Sequence, residues 1–278
     1  MINHRAVVAG IVAMLLVLVA GMGAYAQPGD AIPVPDALRK AGVVRFGADF
    51  TQPPGTFLDA NHHMSGVDFA LCNEIGRRLG LRVEWTNLQF SGLIPALDAG
   101  RFDVICSSML ITPQRAQAVD FVPYRLTAQG AAVVKGNPHN VRDLPDVCGL
   151  HAAELLGSVY ERVIKAQSQD CIAHGKAPID LKTFPTVADA YTQLIDGRAD
   201  VVMGDEPIVT YYVTQRGGGR IEIAFGGKNP TFTGLAIPPA NSALAGPLTV
   251  ALYAMKGDGT YAKIMGQWHL ESGAIQFF

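Results

Sequence analysis

The sequence predicts an α/β protein built from two similar units. Three observations predict it: short apolar strands alternate with amphipathic helices, the helices stop at glycines, and the pattern runs twice along the chain.

In the first unit, Val43-Val44-Arg45-Phe46-Gly47 reads as a short buried strand. Phe57 to Val67 has a polar middle, Asp59-Ala60-Asn61-His62-His63, and reads as a hairpin. Val67, Leu71, Ile75 and Leu79 recur every four residues, which predicts a helix ending at Gly80. Leu81 to Trp85 alternates as a strand, Ser91 to Ala99 reads as a helix closed by Gly100, and Phe102 to Cys106 reads as a third strand. Strand-helix-strand-helix-strand implies a mostly parallel sheet covered on both faces. The second unit repeats the design. It has a strand at Ala131–Val134, a helix starting at Val159–Ala166 and a strand at Ile179–Leu181. A helix at Val187–Ile195 ending at Gly197 and a strand at Ala199–Met203 follow. Strands resume at Leu235–Ile237, and Leu244 to Met265 is helical.

Ahead of both units lies a leader. His4 and Arg5 precede an uncharged apolar run from Ala6 to Ala24, and Ala24-Tyr25-Ala26 is a small-x-small triplet. That pattern reads as a signal peptide, residues 1–26, cleaved after Ala26, and predicts an exported, periplasmic protein; the plainer alternative is an uncleaved membrane anchor, which the Ala-x-Ala triplet disfavours. Gln27 rather than Cys follows the site, so no lipid anchor is indicated. In an exported chain the four cysteines, Cys72, Cys106, Cys148 and Cys171, are candidates for disulfides. Cys148 with Cys171 is the favoured pair, while Cys72 and Cys106 read equally as a second disulfide or as buried thiols. With 22 Lys and Arg against 24 Asp and Glu, and no basic block, nucleic acid is an unsuited partner. No Cys-x-x-Cys and no Gly-x-Ser-x-Gly occurs, and His62-His63 lack a third ligand. No metal, cofactor or catalytic residue is therefore predicted.

In an open α/β sheet, ligands bind beyond the carboxyl ends of the strands. Here those ends are Gly47-Ala48-Asp49, Cys106-Ser107-Ser108 and Met203-Gly204-Asp205, all small and polar. After Ser107 and Ser108, Thr112 is a good N-cap and Pro113 a good first helical residue, which places Arg115 in a helix's first turn. A cation there opposes the helix dipole, and a bound anion between the two reconciles them. The plainer alternative is a surface ion pair with Asp120. Asp205 is placed to take an ammonium group, its plainer reading being a solvated acidic turn. Gly157-Ser158 precedes a helix whose N–H groups suit an anion, or is an ordinary cap.

Several segments occur in the order of one known family. They include Asp49, Pro53-Pro54, Gly66-Val67-Asp68, Gly92 to Leu97, Gly100-Arg101-Phe102-Asp103-Val104, Ile111-Thr112-Pro113-Gln114-Arg115 and Val119-Asp120-Phe121. Gly197-Arg198-Ala199-Asp200, Asp205, Gly234 to Pro238 and Asp258 to Ile264 continue the series. Together they resemble the periplasmic amino-acid-binding proteins of ABC importers, the family 3 solute-binding proteins.

The resemblance implies a two-lobed clamp of the type II periplasmic-binding fold. Lobe 1 would comprise residues 27–128 and 233–278, and lobe 2 residues 129–232, with hinges near Thr127–Ala131 and Thr231–Gly234. It implies a monomer that delivers an amino acid to a membrane permease. Arg115 would grip the α-carboxylate, helped by backbone N–H groups near Leu110 and Val159 beside Ser158, and Asp205 the α-ammonium. Asp49 and Phe90 would face the ligand side chain, with Ser107 and Ser108 lining the cleft. Departures from the family pattern fall at Gln52, Gly55 and Leu110, and in Ala152-Ala153-Glu154-Leu155-Leu156, where an apolar strand is usual. They point to a side-chain pocket that is altered in width or polarity. The competing expectations are a cyclohexadienyl dehydratase on the same scaffold and a ligand-sensing subunit.

Overall fold

A computed structural model describes residues 32–276. The leader with its cleavage after Ala26, and Phe277 and Phe278, lie outside the described residues. Among the described residues no helix is long and apolar enough to cross a membrane.

The first half starts with helix α1 (Asp36–Ala41) and strand β1 (Val43–Ala48). A small antiparallel meander follows: β2 (Thr51–Gln52), β3 (Thr56–Leu58) and β4 (Met64–Ser65). Helix α2 (Val67–Arg78) carries the predicted stripe, burying Val67, Leu71 and Ile75. β5 (Arg82–Asn87), helix α3 (Leu93–Asp98) and the short β6 (Val104–Ile105) complete this half. Both β5 and β6 pair in parallel with β1, the geometry that helical crossovers impose.

The second half uses β8 (His151–Leu155), helix α4 (Val159–Ala173), β9 (Asp180–Phe184), helix α5 (Val187–Ile195) and β10 (Val201–Asp205). Here too β8 pairs in parallel with β9 and β10. Helix α6 (Glu206–Tyr211) starts immediately after β10.

Two long strands join the halves: β7 (Asp120–Val134) and β11 (Ile221–Ile237) form one antiparallel ladder. Their β6 and β10 partners sit on either side, so eight strands make one sheet in the order β5-β1-β6-β11-β7-β10-β8-β9. Only the ends of these strands, Ala131–Val134 and Leu235–Ile237, were legible as strands. Pro123, Gly130, Gly226-Gly227 and Pro230 break the alternation elsewhere, and the ladder tolerates them through register shifts between Ile223 and Thr231 and again at Gly234. The helical stretch from Leu244 divides into α7 (Ala245–Gly257) and α8 (Thr260–Gln267). Gly259, at φ +81°, supplies the left-handed residue that the break requires.

One correction concerns Thr112–Arg115. The expected helix is a single 3₁₀ turn, Arg115–Gln117. Thr112 Oγ1 still accepts the Arg115 N–H at 3.2 Å, as a cap does. The turn stops because β7 begins at Asp120 and draws the chain straight into the sheet.

Both cysteine pairs are bonded: Cys148 to Cys171 and Cys72 to Cys106. Cys72–Cys106 ties α2 to the end of β6. Cys148–Cys171 ties α4 to the loop that enters β8.

Candidate functional site

Strand ends and a helix start converge where the halves meet. From the first half come Gln52, Phe90, Ser108, Leu110 and Arg115; from the second come Ser158, Val159 and Asp205. They line one cavity of about 50 Å³. Asp49 and Ser107, also expected there, stand outside that lining.

Arg115 is 6 % exposed. Its Nη1 donates to the Leu110 carbonyl at 2.9 Å and its Nη2 to the Gly157 carbonyl, in the opposite half, at 3.3 Å. The guanidinium lies 5.2 Å from the Phe90 ring centroid. Arg115 is in no ion pair among the described residues, with Asp120 or otherwise. Burial, reinforced by the neighbouring Arg162 cation, lowers its pKa to about 10 despite Asp205 and Tyr160. A buried cation held only by carbonyls and an aromatic face remains short of an anion.

Asp205 closes β10 and is 5 % exposed. The Tyr160 hydroxyl donates to its Oδ1 at 2.7 Å. Burial pushes its pKa up to about 6, against the opposing effects of Tyr160, Arg125 and Arg115. It remains predominantly ionised at neutral pH and suits a cationic partner. Between Arg115 and Asp205 the N-terminus of α4 enters the cavity at Val159, with Ser158 Oγ capping the Glu161 N–H at 3.0 Å.

Asp49 is tied into the backbone instead. Its Oδ1 accepts from Thr51 N and Thr51 Oγ1, and its Oδ2 accepts from Phe90 N at 3.1 Å. Ser107 Oγ likewise accepts the Asp49 N–H at 3.0 Å. These contacts tie Asp49 to the Thr51 and Phe90 backbone. Ser108, at φ +46°, is held through its N–H and hydroxyl by Asp68 Oδ2, while Arg125 Nη2 donates to its Oγ at 3.0 Å. Gly55 is explained by the same serine: a Cβ there would stand 2.4 Å from Ser108 Oγ.

Sequence reasoning singled out the Ala152–Leu156 stretch but missed what Glu154 does. It is 1 % exposed, lines the cavity, and accepts the Met203 N–H through Oε1 at 2.8 Å. Tyr160 and Tyr191 also line the cavity and were missed, because both read as ordinary apolar-face residues of helices. Tyr211 and Tyr212 are packing residues, Tyr212 stacking on Tyr191 at 4.0 Å. Among the described residues no three His, Cys, Asp or Glu side chains gather as a metal site.

Comparison with known proteins gives this arrangement a context. The model of the bacterial extracellular solute-binding proteins, family 3, matches residues 44–271. The arginine-binding protein ArgT of Corynebacterium glutamicum is 30% identical over 87% of this chain and 79% of its own length. ABC transporter arginine-binding protein 1 of Escherichia coli is 29% identical, over 81% of this chain and 90% of its own. Among solved structures, an ancestral arginine-binding protein bound to glutamine superposes with a TM-score of 0.75 at 35% identity. That match covers 83% of this chain and 99% of the other.

Proposed function

The chain belongs to family 3 of the bacterial extracellular solute-binding proteins, and from that premise we propose how it holds its cargo. It is a binding protein for an amino acid or related small solute, serving an ABC importer, and not an enzyme.

In our reading, Arg115 and the Val159 N–H hold the ligand α-carboxylate, and Asp205, steadied by Tyr160, holds the α-ammonium. One observation carries this assignment. Among the described residues, a buried cation and a buried carboxylate, neither in an ion pair, line the same small cavity. A zwitterion satisfies both at once. Lobe 1 (27–128 and 233–278) and lobe 2 (129–232) then close over it about the Thr127–Ala131 and Thr231–Gly234 segments. The irregular register of β11 between Ile223 and Gly234 supports a bend at that point. A leader removed after Ala26, a periplasmic location, a monomeric state and docking on a membrane permease complete the reading. Two disulfides suit that compartment.

The test is thermal unfolding of residues 27–278 with each common amino acid, ornithine, citrulline and prephenate. A ligand at ~1,000 times its Kd adds about 4 kcal/mol of stability. One group of amino acids should raise the melting temperature of the wild type and leave Arg115→Ala unmoved. An equal shift in Arg115→Ala overturns the carboxylate assignment. Turnover of prephenate with no amino-acid response overturns the carrier reading.

A further inference from the structure

We propose that the second half of the molecule reads the ligand side chain. Glu154 is the specificity-determining residue, and the group it takes is an aliphatic stem ending in an amine or guanidine. This rests on the amino-acid-carrier reading above and names the ligand class.

In the first half, the polar groups that could meet a ligand side chain are engaged in hydrogen bonds within that half. Both Asp49 oxygens accept hydrogen bonds from Thr51 and Phe90. Ser108 is held by Asp68 and Arg125, and Gln52 Nε2 donates to Ser107 Oγ at 3.4 Å. Phe50 fills the neighbouring space, packed edge-on against Phe69 and Trp85.

The second half supplies the rest of the cavity lining. Its walls there are Val187, Ala190, Val202 and Ile208, which suit methylene groups. Glu154 and Asp205 are its two acidic lining residues. With Arg115 and Asp205 matched to a zwitterion, Glu154 is the acid left over.

Glu154 makes no ion pair among the described residues. The titratable groups whose fields act between it and its surroundings are Glu161, Tyr160 and Tyr191, none of them cationic. Burial, helped by the Glu161 charge, holds its carboxyl well above the usual range although the Met203 N–H opposes this. A cationic end group reverses that balance: the carboxyl ionises against it and the proton leaves to solvent. An uncharged side chain of the same shape gains no such partner.

The experiment is calorimetric titration of residues 27–278 with two pairs, L-arginine against L-citrulline and L-lysine against L-norleucine. The wild type should favour the cationic member by roughly 10- to 100-fold, the range of a charged hydrogen bond. Glu154→Gln keeps an oxygen for the Met203 N–H, so the β8–β10 contact survives. That variant should lose most of the arginine-over-citrulline preference. Equal affinities in the wild type overturn the inference without any variant, and so does an unchanged arginine-to-citrulline ratio in Glu154→Gln. In either case amino acids still bind and the carrier reading stands. If no amino acid of any kind binds the wild type, the carrier reading itself fails and takes this inference with it.

Discussion

Asp205 sets function against stability within one side chain. Burial raises its pKa to about 6, so the empty folded state holds a proton that the unfolded chain releases near pH 4. Below the unfolded value both states are protonated. As pH rises through the window from ~4 to ~6, the unfolded state ionises first and the fold loses stability, on the order of 3 kcal/mol by pH 7. Asp205→Asn keeps an oxygen for the Tyr160 hydroxyl and escapes that loss. Its melting temperature relative to wild type should therefore climb between pH 4 and 7. Its affinity for L-arginine should fall at least tenfold at pH 7, while wild-type affinity should weaken as pH drops below ~6. A wild type and variant that keep a constant melting difference across that range would show that Asp205 is not perturbed. At the residue scale, the placement of Arg115 and Asp205 on one cavity was legible because each sits at an element boundary whose chemistry is local. The hydrogen bonds of Asp49 and Glu154 were not, because their partners, Phe90 and the Met203 N–H, lie 41 and 49 positions away.

At the scale of elements, most helices and parallel strands were legible from periodicity, but the short α1 and α6 and the strand β8, interrupted by Glu154, were not; Val187–Ile195 has the bounds its pattern predicts. The long ladder was not. β7 and β11 are stabilised by each other and not by their own alternation, so Pro123, Gly130 and Pro230 hid most of their length. The disulfides belong to this scale too. Cys148–Cys171 closes a segment of 23 positions, which by the chain-entropy argument stabilises by about 3 kcal/mol. Replacing both cysteines by Ala should lower the melting temperature by about 6–12 °C, at 2–4 °C per kcal/mol for a chain of this size. L-Arginine affinity should stay within about threefold, since the bond lies at the far end of α4 from Val159. A shift under about 2 °C in differential scanning calorimetry would show that the β8 entry loop is held by packing alone.

For the whole molecule, the decisive contacts are those made only when the halves meet. Arg115 Nη2 reaches the Gly157 carbonyl at 3.3 Å, and the Phe57 ring lies 6.1 Å from that of Tyr211. Gly157, at φ +79°, comes so close to the facing Ser91 that a Cβ on it would stand 3.1 Å from Ser91 Cα and Cβ. There is no room for a larger group between Ser91 and Gly157 in this closed arrangement. Ser91 is exposed and faces Gly157 across the gap, so a bulky residue there acts as a wedge between the halves. A ligand that bridges the halves shifts the population toward closure by as much as its affinity differs between the two states, and a wedge raises the free energy of the closed state alone. Small-angle scattering of residues 27–278 should show a smaller radius of gyration with saturating L-arginine. Ser91→Trp should abolish that contraction and weaken binding by roughly tenfold, equal to about 1.4 kcal/mol taken from closure. Because only the closed state meets the wedge, the weakening should appear as faster dissociation with little change in the association rate. If Ser91→Trp contracts and binds like the wild type, the halves are held by the shared β7–β11 ladder in one fixed arrangement, and binding involves no closure.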